Sequence, residues 1–234
     1  MERRGKKYRE ALKTIEKGKE YELKEAIEHL PKTSFVKFDA SVELHLNLDI
    51  DTKQADQNVR GSIVLPHGTG KSQRVAVLAP NDKQAAAKTA GADVVGEDDL
   101  LENIKKGKLN FDVLVAASDV MPKLAKYAKE LGPRGLMPNP KSGTVTNDIT
   151  KVVKELKSGR IEFRNDGFGI IHQAVGKLSL KAAQLAENIQ AFLKAVQQAK
   201  PPAIKGALIK KITLTTTMGP SLKLNASHTL SELK

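Results

Sequence analysis

Gly68-Thr69-Gly70-Lys71-Ser72 is the stretch of this sequence that comes nearest to enzyme chemistry. A loop that cradles nucleotide phosphates needs the spacing G-x-x-x-x-G-K-S/T, so that backbone N–H groups converge on the anion and a helix follows. Here the first glycine position is Leu65, Pro66 and His67 intrude, and Arg74 to Ala79 reads as a strand. The spacing favours a glycine-bearing connection over a nucleotide site that would use Lys71 and Ser72. The five histidines, His29, His45, His67, His172 and His228, are scattered without metal-ligand spacing. There is no G-x-S-x-G elbow. The absence of cysteine removes disulfides, thiolate metal sites and cysteine nucleophiles together. No catalytic residue, metal ligand or cofactor is expected.

A different chemistry is legible near the end of the chain. On a period of two, Leu208, Ile212 and Leu214 face one way, and Lys211, Thr213, Thr215 and Thr217 the other. Hydroxyls both donate and accept, so such a row beside a lysine suits phosphates and ribose 2′-hydroxyls. A solvated β-face rich in Thr is the plain alternative. Met218-Gly219-Pro220 follows, where glycine lets backbone approach a ligand closely. The run Gly132 to Gly143, dense in Gly and Pro with Arg134, Asn139 and Lys141, reads as a stiff cationic surface loop or a partner site.

Positioning these groups takes two kinds of architecture. Residues 8–31 read as two short helices broken near Gly18, the second carrying the stripe Leu23, Ala26, Ile27 and Leu30 and stopped by Pro31. Residues 35–48 read as a long strand with one wet face, since Val42, Leu44, Leu46 and Leu48 alternate with Glu43, His45 and Asn47. Val59 to Leu65 is a second strand. From Arg74 to about Ser158 the pattern changes. Short apolar runs (Val75–Ala79, Val94–Val95, Phe111–Ala116) alternate with helical segments at 83–90, 98–106, 119–131 and 148–157, as in parallel βα units. Beyond Gly159 come an expected hairpin (160–164 and 169–175, turning at Asn165-Asp166-Gly167), a helix from Leu180 to Gln198 and a last strand from about Ala207 to Thr217.

One domain inserted in another is the simplest reading. It is an α+β split domain, an antiparallel sheet with helices, formed by residues 1–67 and 160–234. It carries an inserted α/β Rossmann-like domain at 68–159. Gly68, Gly70 and Gly159 mark the crossings as a hinge.

The chain has 234 residues, 40% hydrophobic, with a formal net charge of +12. That balance points to a polyanionic partner, most often nucleic acid. Aromatic residues are only 4% and Trp is absent, which favours structured RNA over stacked single strands. Residues 160–234 hold two Arg and nine Lys against Glu162, Asp166, Glu187 and Glu232, so the RNA face is placed on the split domain. No run approaches a membrane span, and no apolar region follows the charged Met1 to Arg9. A cytoplasmic location with no membrane partner is therefore expected.

Several runs then resemble one family. They are Ser34 to Asp39, Asp56 to Gly61, Leu65 to Lys71, Leu131 to Lys141 with Gly143-Thr144-Val145, and Phe163 to Asp166. Ile171-His172, Val175 to Lys177 and Thr215 to Pro220 complete the set. In this order they resemble the bacterial form of large-subunit ribosomal protein one, the universal L-one family. The resemblance implies a two-domain protein whose split domain grips a bulged helical region of large-subunit rRNA. It implies a mobile stalk on the ribosome that helps release deacylated exit-site tRNA, and repression of translation through the chain's own operon mRNA. The free chain is expected to be a monomer. The implied RNA contacts are Lys37, Phe38, Ser41, Glu43, Asn165, His172, Lys177, Thr217, Met218 and Gly219. The strand reading adds Lys211 and Thr215. On strand parity Phe38 falls with buried Val42 and Leu44, which a bulge or edge position would reconcile with RNA contact. A nucleotide enzyme using Lys71 and Ser72, or a basic RNA chaperone whose affinity follows charge alone, are the competing readings.

Overall fold

The structure is a computed structural model that describes residues 5–16 and 18–231. Along the chain run α1 (Lys6–Lys13), α2 (Leu23–Thr33), β1 (Ser41–Leu48) and β2 (Arg60–Val64). Then come β3 (Val75–Leu78), α3 (Asn81–Thr89), β4 (Val94–Gly96), α4 (Asp98–Lys105), β5 (Val113–Ala116), α5 (Met121–Ala125), α6 (Ala128–Leu131) and α7 (Ile149–Lys157). The chain ends with β6 (Arg160–Arg164), β7 (Ile170–Lys177), α8 (Ala182–Gln198), β8 (Ile209–Thr216), β9 (Leu222–Leu224) and α9 (Ala226–Ser231). The described residues divide into two compact units. One joins those up to Gly70 with those from Glu162 onward, and the other is Lys71–Ile161.

The first unit holds a four-stranded antiparallel sheet in the order β7-β1-β8-β9. Alternation decides its two faces. Val42, Leu44, Leu46 and Leu48 are buried, while the residues between them are half-exposed. Each such leucine contributes about 1.5–3 kcal/mol relative to an exposed one. Helices α2 and α8 pack with the sheet. Their apolar stripes, Leu23, Ala26, Ile27 and Leu30 on one and Leu185, Ile189, Phe192, Leu193 and Val196 on the other, are buried. A small second sheet pairs β2 with β6.

Asn188, on α8, is fully buried and fully used. Its Nδ2 donates to the carbonyls of Gly68 and Val175 (2.9 Å each), and its Oδ1 accepts from the His67 N–H (3.0 Å). One side chain therefore ties residues 67 and 68 to β7 and α8.

The second unit is built on a parallel sheet in the order β4-β3-β5. Val75, Ala76, Val77 and Leu78 are all fully buried, the continuous apolar run expected of a strand covered on both faces. Helices α3 and α7 pack together, α7 against β3 and β5, and α4 against β4. Asp148 caps α7 through the Lys151 N–H, with its oxygen 3.3 Å from that nitrogen.

Local readings need correction in several places. Residues 35–40 are not strand, and β1 begins at Ser41. Helix α2 runs past Pro31 to Thr33. The missing N–H falls in its last turn, where Ser34 N–H and the Thr33 hydroxyl both reach the Leu30 carbonyl. The helix expected over 119–131 is a short 3-10 turn followed by α5 and α6, with Pro122 at the start of α5 and Tyr127 outside helical geometry between the two. The strands expected as a hairpin, β6 and β7, lie in different sheets. Between them a turn is closed by the Asp166 N–H to the Ile170 carbonyl (2.8 Å), with Gly169 at φ +75°. The Gly132–Gly143 run is exposed at Gly132–Gly135, but Leu136 and Met137 pack against the core and Ser142 is buried. Leu136 and Met137 are apolar side chains that the core takes in, so the run is only partly a surface loop.

Candidate nucleic-acid interface

The uncovered face of the four-stranded sheet orders its side chains in rows across the strands. Lys177, Ser41 and Thr217 form one row, and Ala174, Glu43 and Thr215 the next. His172, His45, Thr213 and Lys223 form the third, crossing all four strands, and Ile170, Asn47 and Lys211 the fourth. Lys211 and Lys223 are exposed and make no ion pair among the described residues.

Two irregularities set this arrangement. Val42 pairs with Gly176 but Glu43 with Ala174, so Val175 is an extra residue in β7. Val175 and Gly176 are both buried there, and the parity switch puts Lys177 on the wet face beside Ser41. In β8 the register shifts between Asn47 and Leu48, which buries Ile209 and leaves Lys210 bonded to Asp49 at 2.8 Å.

The hydroxyls of β8 are partly engaged with backbone. Ser41 N–H donates to Thr217 Oγ1 (3.1 Å), and Thr215 Oγ1 donates to the Gly219 carbonyl (3.3 Å). Gly219 N–H closes the turn on the Thr216 carbonyl (2.8 Å). Met218, at φ +68°, is the one described non-glycine residue with positive φ, and its side chain is 68% exposed. A non-glycine residue there stores about 1–2 kcal/mol of strain, and such strain gathers at functional positions. A Cβ at Gly219 would run into the Thr216 hydroxyl, so glycine is required by packing.

Lys177 Nζ donates to Ser41 Oγ (3.0 Å) and the Asp39 carbonyl (3.2 Å), which holds it at the mouth of the segment entering β1. That segment carries exposed Lys37 and Phe38, the latter 58% exposed. Because residue 38 lies ahead of the strand, parity does not apply to it, and the expected conflict with Val42 and Leu44 disappears. Asn165 lies apart from the rows. Its Oδ1 accepts from Val59 N–H (2.8 Å) and its Nδ2 donates to the Asp166 carbonyl (2.9 Å), so it fixes the connection between β6 and β7.

His45 escaped the sequence reading as a partner of His172, because nothing in linear spacing joins positions 45 and 172. Their Nδ1 atoms are 2.8 Å apart, and the rings meet edge-on. Burial pushes the His45 imidazole below its ordinary value, the neighbouring His172 adds to this, and Glu43 opposes it. Asp166 is held below the usual carboxylate range by the Ile170 N–H first, then by the Phe168 N–H and His172. Lys223 was also missed, since β9 is only three residues long.

Elsewhere the chain offers little chemistry. After Gly70 the backbone enters β3 and not a helix, and Lys71 Nζ lies 3.7 Å from Asp112 Oδ1. Gly68, Gly70 and Gly159 have φ of +62°, +72° and +99°. Among the described residues no cluster of three or more metal-ligating side chains occurs, and no helix is long and apolar enough to cross a membrane.

A family model described as the ribosomal protein L1p/L10e family matches residues 26–220. The chain belongs to that family. L1p/L10e proteins are structural, rRNA-binding constituents of the large ribosomal subunit and not enzymes, and a formal net charge of +12 is in keeping with a polyanionic partner. The match spans β1 to β8, and so every residue of the first two rows.

Proposed function

We propose that the wet face of β7-β1-β8-β9 is where this L1p/L10e protein grips its rRNA, with Lys37 and Phe38 at one margin and the Met218-Gly219 turn at the same end. The observation that carries the reading is the convergence of Ser41, Glu43, His172, Lys177, Lys211, Thr215 and Thr217 on one uncovered sheet face. A flat polar face with separated lysines and an exposed, strained methionine suits RNA read by backbone and shape at a bulged helix. Asn165 acts in this reading by shaping the β6–β7 connection.

The finer roles belong to the same proposal. Residues 1–67 and 160–234 act as the RNA-binding domain and 68–159 as an insert, with Gly68, Gly70 and Gly159 as the hinge. With its RNA the chain forms the mobile stalk that releases exit-site tRNA, and it represses its own operon mRNA through an element that mimics the rRNA site. It works in the cytoplasm and is a monomer when free.

The decisive measurement is a competition at physiological salt between large-subunit rRNA and an unrelated duplex. Strong preference for the rRNA, reduced by Lys37→Ala and Met218→Ala, is expected. Equal affinity for both RNAs would instead indicate a charge-driven RNA chaperone.

A further inference from the structure

We propose that the hollow beside the β6–β7 connection is a pocket for a single unpaired nucleotide of the bound RNA. The inference rests on the RNA-binding reading above and adds to it a site for one base. The hollow measures about 540 Å³ and is lined by Arg164, Asn165, Asp166, His172 and Gln173, among others. That volume falls in the range of small-ligand sites, about 300–1,000 Å³.

Its groups are complementary to a nucleotide. Arg164, at the end of β6, is exposed and makes no ion pair among the described residues, leaving a guanidinium for a phosphate. Glu162, one of two acids in the lining, is already bonded to Arg60 Nε at 2.6 Å. Asp166 presents two different oxygens. Oδ1 accepts the N–H groups of Phe168 (2.9 Å) and Ile170 (2.8 Å), whereas Oδ2 has only the long 3.4 Å contact to His172 Nε2. That oxygen retains acceptor capacity for an N–H on a base edge. Gln173 Nε2 makes only a 3.4 Å contact with the Ala174 carbonyl, so its amide is available to donate and accept. His172 supplies a ring for stacking, and His45 holds it from the other side.

The site is preorganised. Thr52 Oγ1 donates to the Gly167 carbonyl (2.9 Å) and Gly169 N–H to the Asp166 carbonyl (3.2 Å), so the turn is pinned from outside and within. At its tip Phe168 is 88% exposed, a platform on which a neighbouring base can stack. A hollow of this size takes a whole base and not only an edge, so the base must leave the stack. In an RNA duplex the deep, narrow major groove shuts side chains out and the shallow minor groove shows only base edges, so the occupant is an unpaired nucleotide.

The test uses the full chain. Amide resonances are followed while the four 5′-mononucleotides, or inorganic phosphate, are added. Nucleotides should shift residues 164–167 and 172–173 together, and phosphate should leave 172–173 in place. Shifts elsewhere, or none, overturn the pocket. Affinity for large-subunit rRNA is then compared with affinity for a fully paired duplex. Arg164→Gln and Gln173→Ala should each weaken rRNA binding about ten-fold, and Gln173→Ala should leave the duplex unaffected. If both variants bind rRNA like wild type while Lys37→Ala is weakened, the pocket is refuted and the sheet-face interface stands. If wild type fails to distinguish rRNA from duplex, the interface reading falls and the pocket with it.

Discussion

The two sheets of this protein solve the burial problem in opposite ways. In the parallel sheet the central strand β3 is buried residue after residue, so nothing on it is available to a partner. In the antiparallel sheet β1 alternates strictly, and four rows of mostly polar side chains, with Ala174 and Ile170 among them, lie opposite the buried face. The difference follows from connection geometry. Parallel strands need helical crossovers, which cover the sheet, whereas antiparallel strands leave a face open. A binding surface is therefore expected on the antiparallel sheet and not on the parallel one.

The largest effects should be shared by both sheets. Leu114→Ala in β5 and Leu44→Ala in β1 each remove a fully buried side chain and should cost about 2–5 kcal/mol in denaturant unfolding. Only the second should also disturb the face proposed to bind rRNA. Equal loss of RNA affinity from Leu114→Ala in folded protein would break the comparison.

Next comes Thr217→Val, which acts on binding and stability together. It should weaken rRNA binding by roughly 1–3 kcal/mol if the hydroxyl also meets RNA. It should cost about 1 kcal/mol in stability as well, because the Ser41 N–H loses its acceptor. A stability loss with unaltered affinity would make the hydroxyl purely structural.

Met218→Gly should separate the two quantities by sign. Relief of the positive φ should stabilise the fold by about 0.5–1 kcal/mol. Loss of the exposed side chain should weaken rRNA binding. Smaller still, Lys211→Ala and Lys177→Ala should each lower the salt slope of binding by about one unit. Identical slopes would make them bystanders.

The pH dependence is the subtlest test. His45 is depressed below 6.5, so the unfolded chain takes up the proton first. Its contribution is full above that value and declines as the pH falls toward the folded one. Unfolding midpoints from about pH 7.5 to about pH 5 should fall less steeply in His45→Gln than in wild type. Asp166, also depressed, acts in a lower window. Its contribution is full above the unfolded value of 3.8 and is lost as the pH falls through the folded one.

By itself the sequence determined the periodicities, and so which strands would be half-wet and which fully dry. Val42, Leu44, Leu46 and Leu48 announce one dry face, and Thr213, Thr215 and Thr217 share the opposite parity, because side chains alternate along any strand. The charge and the ordered motifs were likewise legible in one dimension. Tertiary structure alone decided which separated residues meet. Lys177 is on the dry parity of β7 until the extra residue Val175 turns it over, and a bulge is a property of the pairing and not of either strand. His45 and His172 touch only because β1 and β7 are in that register. The same holds for β6 and β7, adjacent in sequence yet drawn into different sheets, since Val59 and β2 capture the first and β1 the second. Local pattern reports which face a residue shows. The choice of neighbour depends on long-range pairing, which no window of sequence contains.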